Sequence, residues 1–233
     1  MKNILIAGAG KGIGLAVATQ LNGEANIFTI SRNPTEALTA LNTSFYKIDP
    51  SSDSLESLDN LPDTIHGVVY CPGSINLKPF SRLTAQDFIN DFQQNIIGAV
   101  NLIQKVLPAL KKAEGASIVL YSTVAVKSGM PFHASIAAAK GAVEGLARSL
   151  AAELAASRIR VNVVAPSLTD TALASALLNT PEKKEAAGKR HPLQRVGSAE
   201  DMAKVTNFLL SDDSSWITGQ VIGVDGGLGS LRV

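Results

Sequence analysis

The sequence predicts an α/β fold, a doubly wound parallel sheet with helices on both faces, and two observations predict it. Short β-rich apolar runs recur along the whole chain, and amphipathic stretches long enough to cross over a sheet separate them. A third observation, 233 residues with no linker, repeat or low-complexity segment, fits a single domain over 1–233 built around one sheet.

The strand-like runs are Asn3–Ala7, Asn26–Ile30, Ser44–Ile48, Gly67–Tyr70, Ser117–Tyr121, Arg160–Ala165 and Val221–Val224. They have the pattern of strands buried between helix layers. Helical periodicity predicts helices over Ile13–Leu21, Ala85–Leu107 and Ile136–Ala156. Pro108 lacks a backbone donor and is expected to stop the second of these, with Gly115 opening the way to the next strand. Ser167–Pro192 is the least regular stretch, rich in Thr, Ala and Lys, and suits a substrate-covering loop or a pair of short helices acting as a lid.

A content of 45% hydrophobic and 18% charged residues excludes disordered and fibrous classes. With 21 basic against 20 acidic residues the net charge is +1, so no global field favours nucleic acid or an anionic membrane, and neither is an expected partner. The lone Cys71 excludes an intramolecular disulfide and fits a reducing compartment, so a cytoplasmic location is expected. The apolar run Ile4–Ala7 is too short for a signal segment, and no run approaches a membrane-spanning length. No metal is expected.

Directly after the first strand comes Gly8-Ala9-Gly10-Lys11-Gly12-Ile13-Gly14, followed by an apolar helix. Strand, glycines and helix in this order form a dinucleotide site: Gly8 permits the turn, Gly12 lets backbone approach a pyrophosphate, Gly14 lets helix pack on strand, and the helix N-terminus presents amides. The alternative is a merely tight turn. The second strand ends in Thr29-Ile30-Ser31-Arg32, where an NAD site would place an acid for the adenosine ribose. Arg32 there, with Lys11, suits a 2′-phosphate, so NADP(H) is the expected cofactor; the alternative is two solvated surface cations.

These motifs resemble the short-chain dehydrogenase/reductase family, and the resemblance runs the length of the chain. It rests on Gly8, Gly12, Ile13 and Gly14, on Asp49 after the third strand, on Asn95-Ile96-Ile97-Gly98, on Val161-Asn162-Val163-Val164-Ala165-Pro166, on Pro192-Leu193-Gln194-Arg195-Val196-Gly197 and on Val224-Asp225-Gly226-Gly227. It implies a Rossmann-fold oxidoreductase acting on a small molecule. Asp49 would contact adenine, Gly73 would let the cofactor come close, and Thr169 and Thr171, after Pro166, would hold the nicotinamide carboxamide. It also implies a homotetramer with the helices at 85–107 and 136–156 and the C-terminal strand at its interfaces.

The chain departs from the family at the reacting end. Tyr70-Cys71-Pro72-Gly73 replaces the usual Asn-Asn-Ala-Gly, and Ser167 replaces a glycine. Cys71 reads as a small buried hydrophobe rather than a reactive thiol. Where the family has serine, tyrosine and lysine, this chain has Thr123, Ile136 and Lys140. Thr123, with Ser122 beside it, keeps a hydroxyl for a carbonyl oxygen, unless it is a satisfied strand-end group. Asn95 matches the family's helix asparagine, or is a structural amide that kinks the helix. Lys140 would bind the nicotinamide ribose, but Ile136 cannot transfer a proton. His133, seven residues before Lys140, a spacing that resembles the tyrosine-to-lysine interval of enoyl reductases, is the candidate substitute donor, unless it is a loop histidine without a role; Ser135 and Tyr121 stand behind it. Two readings follow: an NADP(H)-dependent oxidoreductase acting on a carbonyl or activated alkene, or a catalytically silent NADP-binding sensor or oligomer subunit.

Overall fold

The computed structural model describes residues 1–232. Strands and helices alternate in the order β1 (Asn3–Ala7), α1 (Gly12–Leu21), β2 (Asn26–Ser31), α2 (Glu36–Thr39), β3 (Thr43–Lys47), β4 (Gly67–Tyr70), α3 (Ala85–Phe92), α4 (Gly98–Lys112), β5 (Ala116–Tyr121), α5 (Val124–Ser128), α6 (Ala134–Leu154), β6 (Ile159–Pro166), β7 (Thr169–Asp170), α7 (Pro181–Lys189), β8 (Gly197–Ser198), α8 (Ala199–Leu210) and β9 (Val221–Val224). Seven strands form one parallel sheet in the order β3-β2-β1-β4-β5-β6-β9, while β7 and β8 pair as a small ribbon. The chain runs outward from β1 to β3 and then resumes at β4 on the other side of β1. That reversal opens a crevice at the carboxyl ends of β1 and β4, where ligands of such sheets bind.

Successive residues of each central strand serve opposite layers. Leu5, Val68, Ile118 and Leu120 pack with Leu102, Val106, Val143 and Leu154 of α4 and α6. Ile4, Ile6, Val69, Val119 and Tyr121 pack with Val17, Met202 and Leu209 of α1 and α8. Both faces of the sheet are therefore covered, which is why these strands read as continuous apolar runs and why each expected strand is present to within a residue or so at its ends.

The helix expected at 85–107 differs from the expectation in two ways. It is interrupted by a π-helical turn at Gln93–Ile97, and it continues through Pro108 to Lys112. Pro108 lies on the exposed side, where the carbonyl it leaves unpaired can meet water, while Leu102, Ile103, Val106 and Leu110 stay buried along the other side and hold the helix together. The π turn has a local cause in Tyr70, whose hydroxyl donates to Gln94 O at 2.6 Å. A Cβ on Gly98 would run into that same hydroxyl. The third expected helix, 136–156, lies two residues earlier as α6, followed by a 3₁₀ turn at Ala155–Ser157.

The closing motifs have structural duties. Asn162 of β6 donates to Ile217 O at 2.8 Å and accepts from Gln220 N at 3.1 Å, guiding the chain into β9. Arg195 grips Asp201 with two bonds of 2.6 and 3.0 Å, and Ser198 and Asp201 cap α8 reciprocally. Between these lies the expected lid, a 3₁₀ segment (Ala172–Leu177) and α7, pinned at its base by β7 and β8.

Candidate active site

At the phosphate end, Gly8 adopts φ +79° and its N–H donates to Ile30 O at 2.8 Å, joining the carboxyl ends of β1 and β2. Gly14 has no room for a side chain, because a Cβ there would strike Gly8 O. The first turn of α1 is thus pressed onto the glycine loop. It contains no acidic residue, and its N-cap, Lys11, is exposed. An anion would meet free amides and no repelling carboxylate there.

A cavity of about 400 Å³ opens on this turn. Gly8, Lys11, Gly12, Ile13 and Gly14 line one side, Ser31, Arg32 and Asp49 the adenosine side, and Gly73 and Thr171 the inner side. Arg32 is exposed, and among the described residues neither it nor Lys11 forms an ion pair. Ser31 Oγ donates to Asn33 O at 2.7 Å, and Asp49 Oδ1 accepts from Ser51 N and Oγ at 3.0 and 2.6 Å. These bonds shape the rim, and Asp49 keeps its second oxygen for other partners.

The reacting end continues past Gly73. Lys140 is buried, and its Nζ donates to Tyr121 O at 2.8 Å. Burial lowers it to about 8, opposed by Cys71 and Asp91 when these are in their charged forms. Asn95 sits in the π turn, its Nδ2 donating to Asp91 O at 2.8 Å and Ser74 Oγ at 3.1 Å, while its buried Oδ1 has no partner. It is therefore both the kinking amide and an aimed acceptor. Asn95 Oδ1 and Lys140 Nζ each lie 3.5 Å from where a Cβ of Gly73 would stand. A side chain there would fill the gap that both atoms face.

The other expected residues divide. Thr123 caps α5, its Oγ1 accepting from Ala125 N at 3.3 Å, so its hydroxyl already has a structural duty. Ser122 donates to Glu144 at 2.7 Å. Thr169 is buried in the ribbon and donates to Ser167 O at 3.0 Å, while Thr171 reaches the cavity. Pro166 ends β6 at the carboxyl edge of the sheet. Ile136 is buried one turn before Lys140 on α6. One reserve donor falls away: Tyr121 faces the α1–α8 layer and bonds Thr206, whereas Ser135 is fully buried with an Oγ that has no partner among the described residues. His133 is half-buried at the start of α6, and its Nδ1 meets Pro131 O at 2.7 Å. The Cys71 thiol is pushed up to about 12 by burial, in keeping with an unreactive side chain. Among the described residues no group of three or more His, Cys, Asp or Glu is placed to hold a metal.

Comparison with known proteins bears on this geometry. Residues 8–229 match the family model described as enoyl-(acyl carrier protein) reductase. The chain is 35% identical to a tropinone reductase homolog of Arabidopsis thaliana, over 97% of this chain and 92% of that protein. It is also 35% identical to the 3-oxoacyl-acyl-carrier-protein reductase of Thermotoga maritima, over 97% of each. The chain belongs to the short-chain dehydrogenase/reductase family. Among solved members, a short-chain type dehydrogenase/reductase from Mycobacterium ulcerans superposes with a TM-score of 0.90 at 30% identity, covering 99% of this chain and 90% of that one. A gluconate 5-dehydrogenase from Burkholderia cenocepacia, in complex with NADP and tartrate, gives 0.90 at 26% identity, covering 99% and 96%.

Within this family framework, sequence reasoning missed Asp91 and Ser74. Ser74 Oγ donates to Asp91 Oδ1 at 2.5 Å, beside Asn95, and Asp91 is buried on α3. One signal could have exposed them: Asp91 lies one helical turn before Asn95, on the same face.

Proposed function

We propose that the chain is an NADP(H)-dependent oxidoreductase moving a hydride between the cofactor and a small carbonyl, alcohol or activated alkene. The observation that carries this reading is the convergence of Lys140 Nζ and Asn95 Oδ1 on the gap at Gly73, each with bonding capacity to spare. The glycine cradle and the unpartnered Asn95 oxygen fit a dinucleotide threaded from Lys11 to Lys140. Absence of an acid at the end of β2, with Arg32 and Lys11 unpaired, supports NADP(H), the cofactor present in the Burkholderia relative. Bound there, the cofactor supplies the hydride. In this reading Gly8, Gly12, Ile13 and Gly14 hold the pyrophosphate, Ser31 and Arg32 the 2′-phosphate, Asp49 the adenine, and Lys140 the nicotinamide ribose. Thr169 and Thr171, following Pro166, position the carboxamide.

Ile136 and the engaged Thr123 hydroxyl favour a second reading, a silent NADP-binding subunit, because loss of a general acid lowers rates by about 10²- to 10⁴-fold. Single-turnover oxidation of bound NADPH across a panel of ketones and enones separates the two. Transfer to any member supports the oxidoreductase; tight NADPH binding with an inert panel supports the silent subunit. A homotetramer is the proposed assembly, supported by the outward-facing Ile89, Phe92 and Ile97 along the α3–α4 rod and Trp216 ahead of β9. Light scattering that finds a monomer at micromolar concentration removes it.

A further inference from the structure

Asp91 is a carboxyl group with no part in the roles above. It is 2% exposed, and among the described residues its Oδ1 has one bond, to Ser74, while its buried Oδ2 has no partner. An apolar side chain would rest there at no electrostatic cost, whereas a buried carboxylate short of partners is expensive. Around it α3 is inverted, with Ile89 and Phe92 facing outward and the acid inward. Such a group is kept for what it acts on.

We propose that Asp91 is the counter-charge that keeps Lys140 an ammonium inside the protein, and that Lys140 so charged supplies the proton where Ile136 cannot. The second half rests on hydride transfer being the chemistry of this chain. Among the described residues the only hydrogen-bond partner of Lys140 Nζ is a neutral carbonyl, Tyr121 O. The charged and titratable groups on the elements packed about it are few. Glu144, on its own helix, is engaged by Ser122 and Arg148; His133, at the start of that helix, meets Pro131 O; Asp87 of α3 is paired with Lys78; Lys127 of α5 reaches out to Ser230; Arg160 of β6 is spent on carbonyls at and beyond the end of α8. The Tyr121 ring lies on the far side of the sheet. Cys71 is close, but its thiol is neutral at physiological pH because burial pushes it up to about 12. Asp91, joined through Ser74 and Asn95 to the gap that Lys140 Nζ also faces, remains as the acid that favours the charged lysine.

The polar path is continuous as far as the gap. Asn95 Nδ2 donates to Ser74 Oγ, which donates to Asp91, and the free Oδ1 of Asn95 faces Lys140 across the space beside Gly73. During reduction the substrate oxygen takes its proton from Lys140: an Nζ–H bond breaks, an O–H bond forms, and the lysine is left as a neutral amine. The hydride and its electron pair come from NADPH, which is oxidised to NADP⁺. Asp91, left without its counter-charge, then favours return of a proton to Nζ from solvent.

The first test is lysine-selective ¹³Cε NMR on the protein without cofactor or substrate, with Lys140 assigned through Lys140→Gln. Lys140 should titrate near pH 8. Asp91→Asn, which retains an acceptor for Ser74, and Asp91→Leu should each lower that midpoint by at least about half a pH unit. A midpoint unmoved in both variants overturns the role of Asp91. The second test is the pH profile of kcat for a substrate found in the panel. It should fall about tenfold per pH unit above the Lys140 midpoint and fall earlier in Asp91→Asn. A profile flat through the midpoint, or a panel without turnover, overturns the proton-supply half and leaves the NMR result to judge the charge pairing alone.

Discussion

Replacing Lys140 with methionine should remove a pH-dependent slope from the stability of the fold. In an unfolded chain the ammonium titrates at its ordinary 10.5, whereas burial brings it to about 8 in the folded protein. At 1.36 kcal/mol per pH unit this gap corresponds to about 3.4 kcal/mol. Below about pH 8 both states hold the proton, and the wild type carries the full cost of the desolvated charge. Between about 8 and 10.5 the unfolded state binds a proton that the folded state does not, so stability rises with pH; above 10.5 neither state binds it. Methionine matches the aliphatic stem and has no such slope. It leaves an unpaired Tyr121 carbonyl, costing about 1–3 kcal/mol, and removes the partner proposed for Asp91, so the comparison reads the slope with pH and not the constant offset. Tyr70, raised by burial, weakens the fold at high pH in both proteins and cancels in the comparison; Cys71 is also raised by burial but lowered by Lys140, so the variant weakens somewhat more above pH 9. Urea unfolding of wild type and variant from pH 7 to 10.5 should show the wild type gaining about 3 kcal/mol relative to the variant. Parallel curves would refute the claim that Lys140 is a desolvated ammonium.

Other outcomes follow from the same geometry. NADPH should bind at least about tenfold more tightly than NADH, a difference of about 1.4 kcal/mol, and Arg32→Ala should narrow it; equal affinities by calorimetry remove the 2′-phosphate reading. Ile136→Tyr should raise ketone reduction, because the new phenol would stand one turn from the Lys140 ammonium, and rapid ketone reduction by wild type that survives His133→Ala would count against both positions. Gly14→Ala should abolish cofactor binding and lower the melting temperature, since its Cβ would strike Gly8 O; unchanged NADPH affinity would show that the loop can give way.

Where apolar pattern alone decides, the fold was legible. Leu5 and Ile6 go to opposite layers because a strand alternates, and no other information is needed. The phosphate turn was legible because glycine, strand and helix occur in a fixed local order. The course of α4 was not: a rule about proline lost to the buried stripe of Leu102, Val106 and Leu110, a tertiary effect that no local window contains. Tyr121 looked available because sequence does not say which side of a sheet a residue takes until its neighbours are known. Asp91 stayed hidden for the related reason that its partner, Ser74, lies outside α3, on a loop 17 residues away. Thr123 read equally well as substrate contact or cap: its oxygen accepts from Ala125 N, and a hydroxyl that accepts there can still donate to another group.

The π turn at Gln93–Ile97 makes the rod from Ala85 to Lys112 two surfaces with independent phase. One residue beyond the regular ladder turns everything before it by about 100° relative to everything after it. The half bearing Asp91 can therefore look toward Lys140 while the half bearing Leu102 and Val106 looks toward the sheet, an alignment that an unbroken helix would deny to one of them. Deleting a residue within the turn would make the helix more regular and rotate the acid out of register with the lysine. In this segment the irregular element sets which way Asp91 faces, and regularity would turn it away.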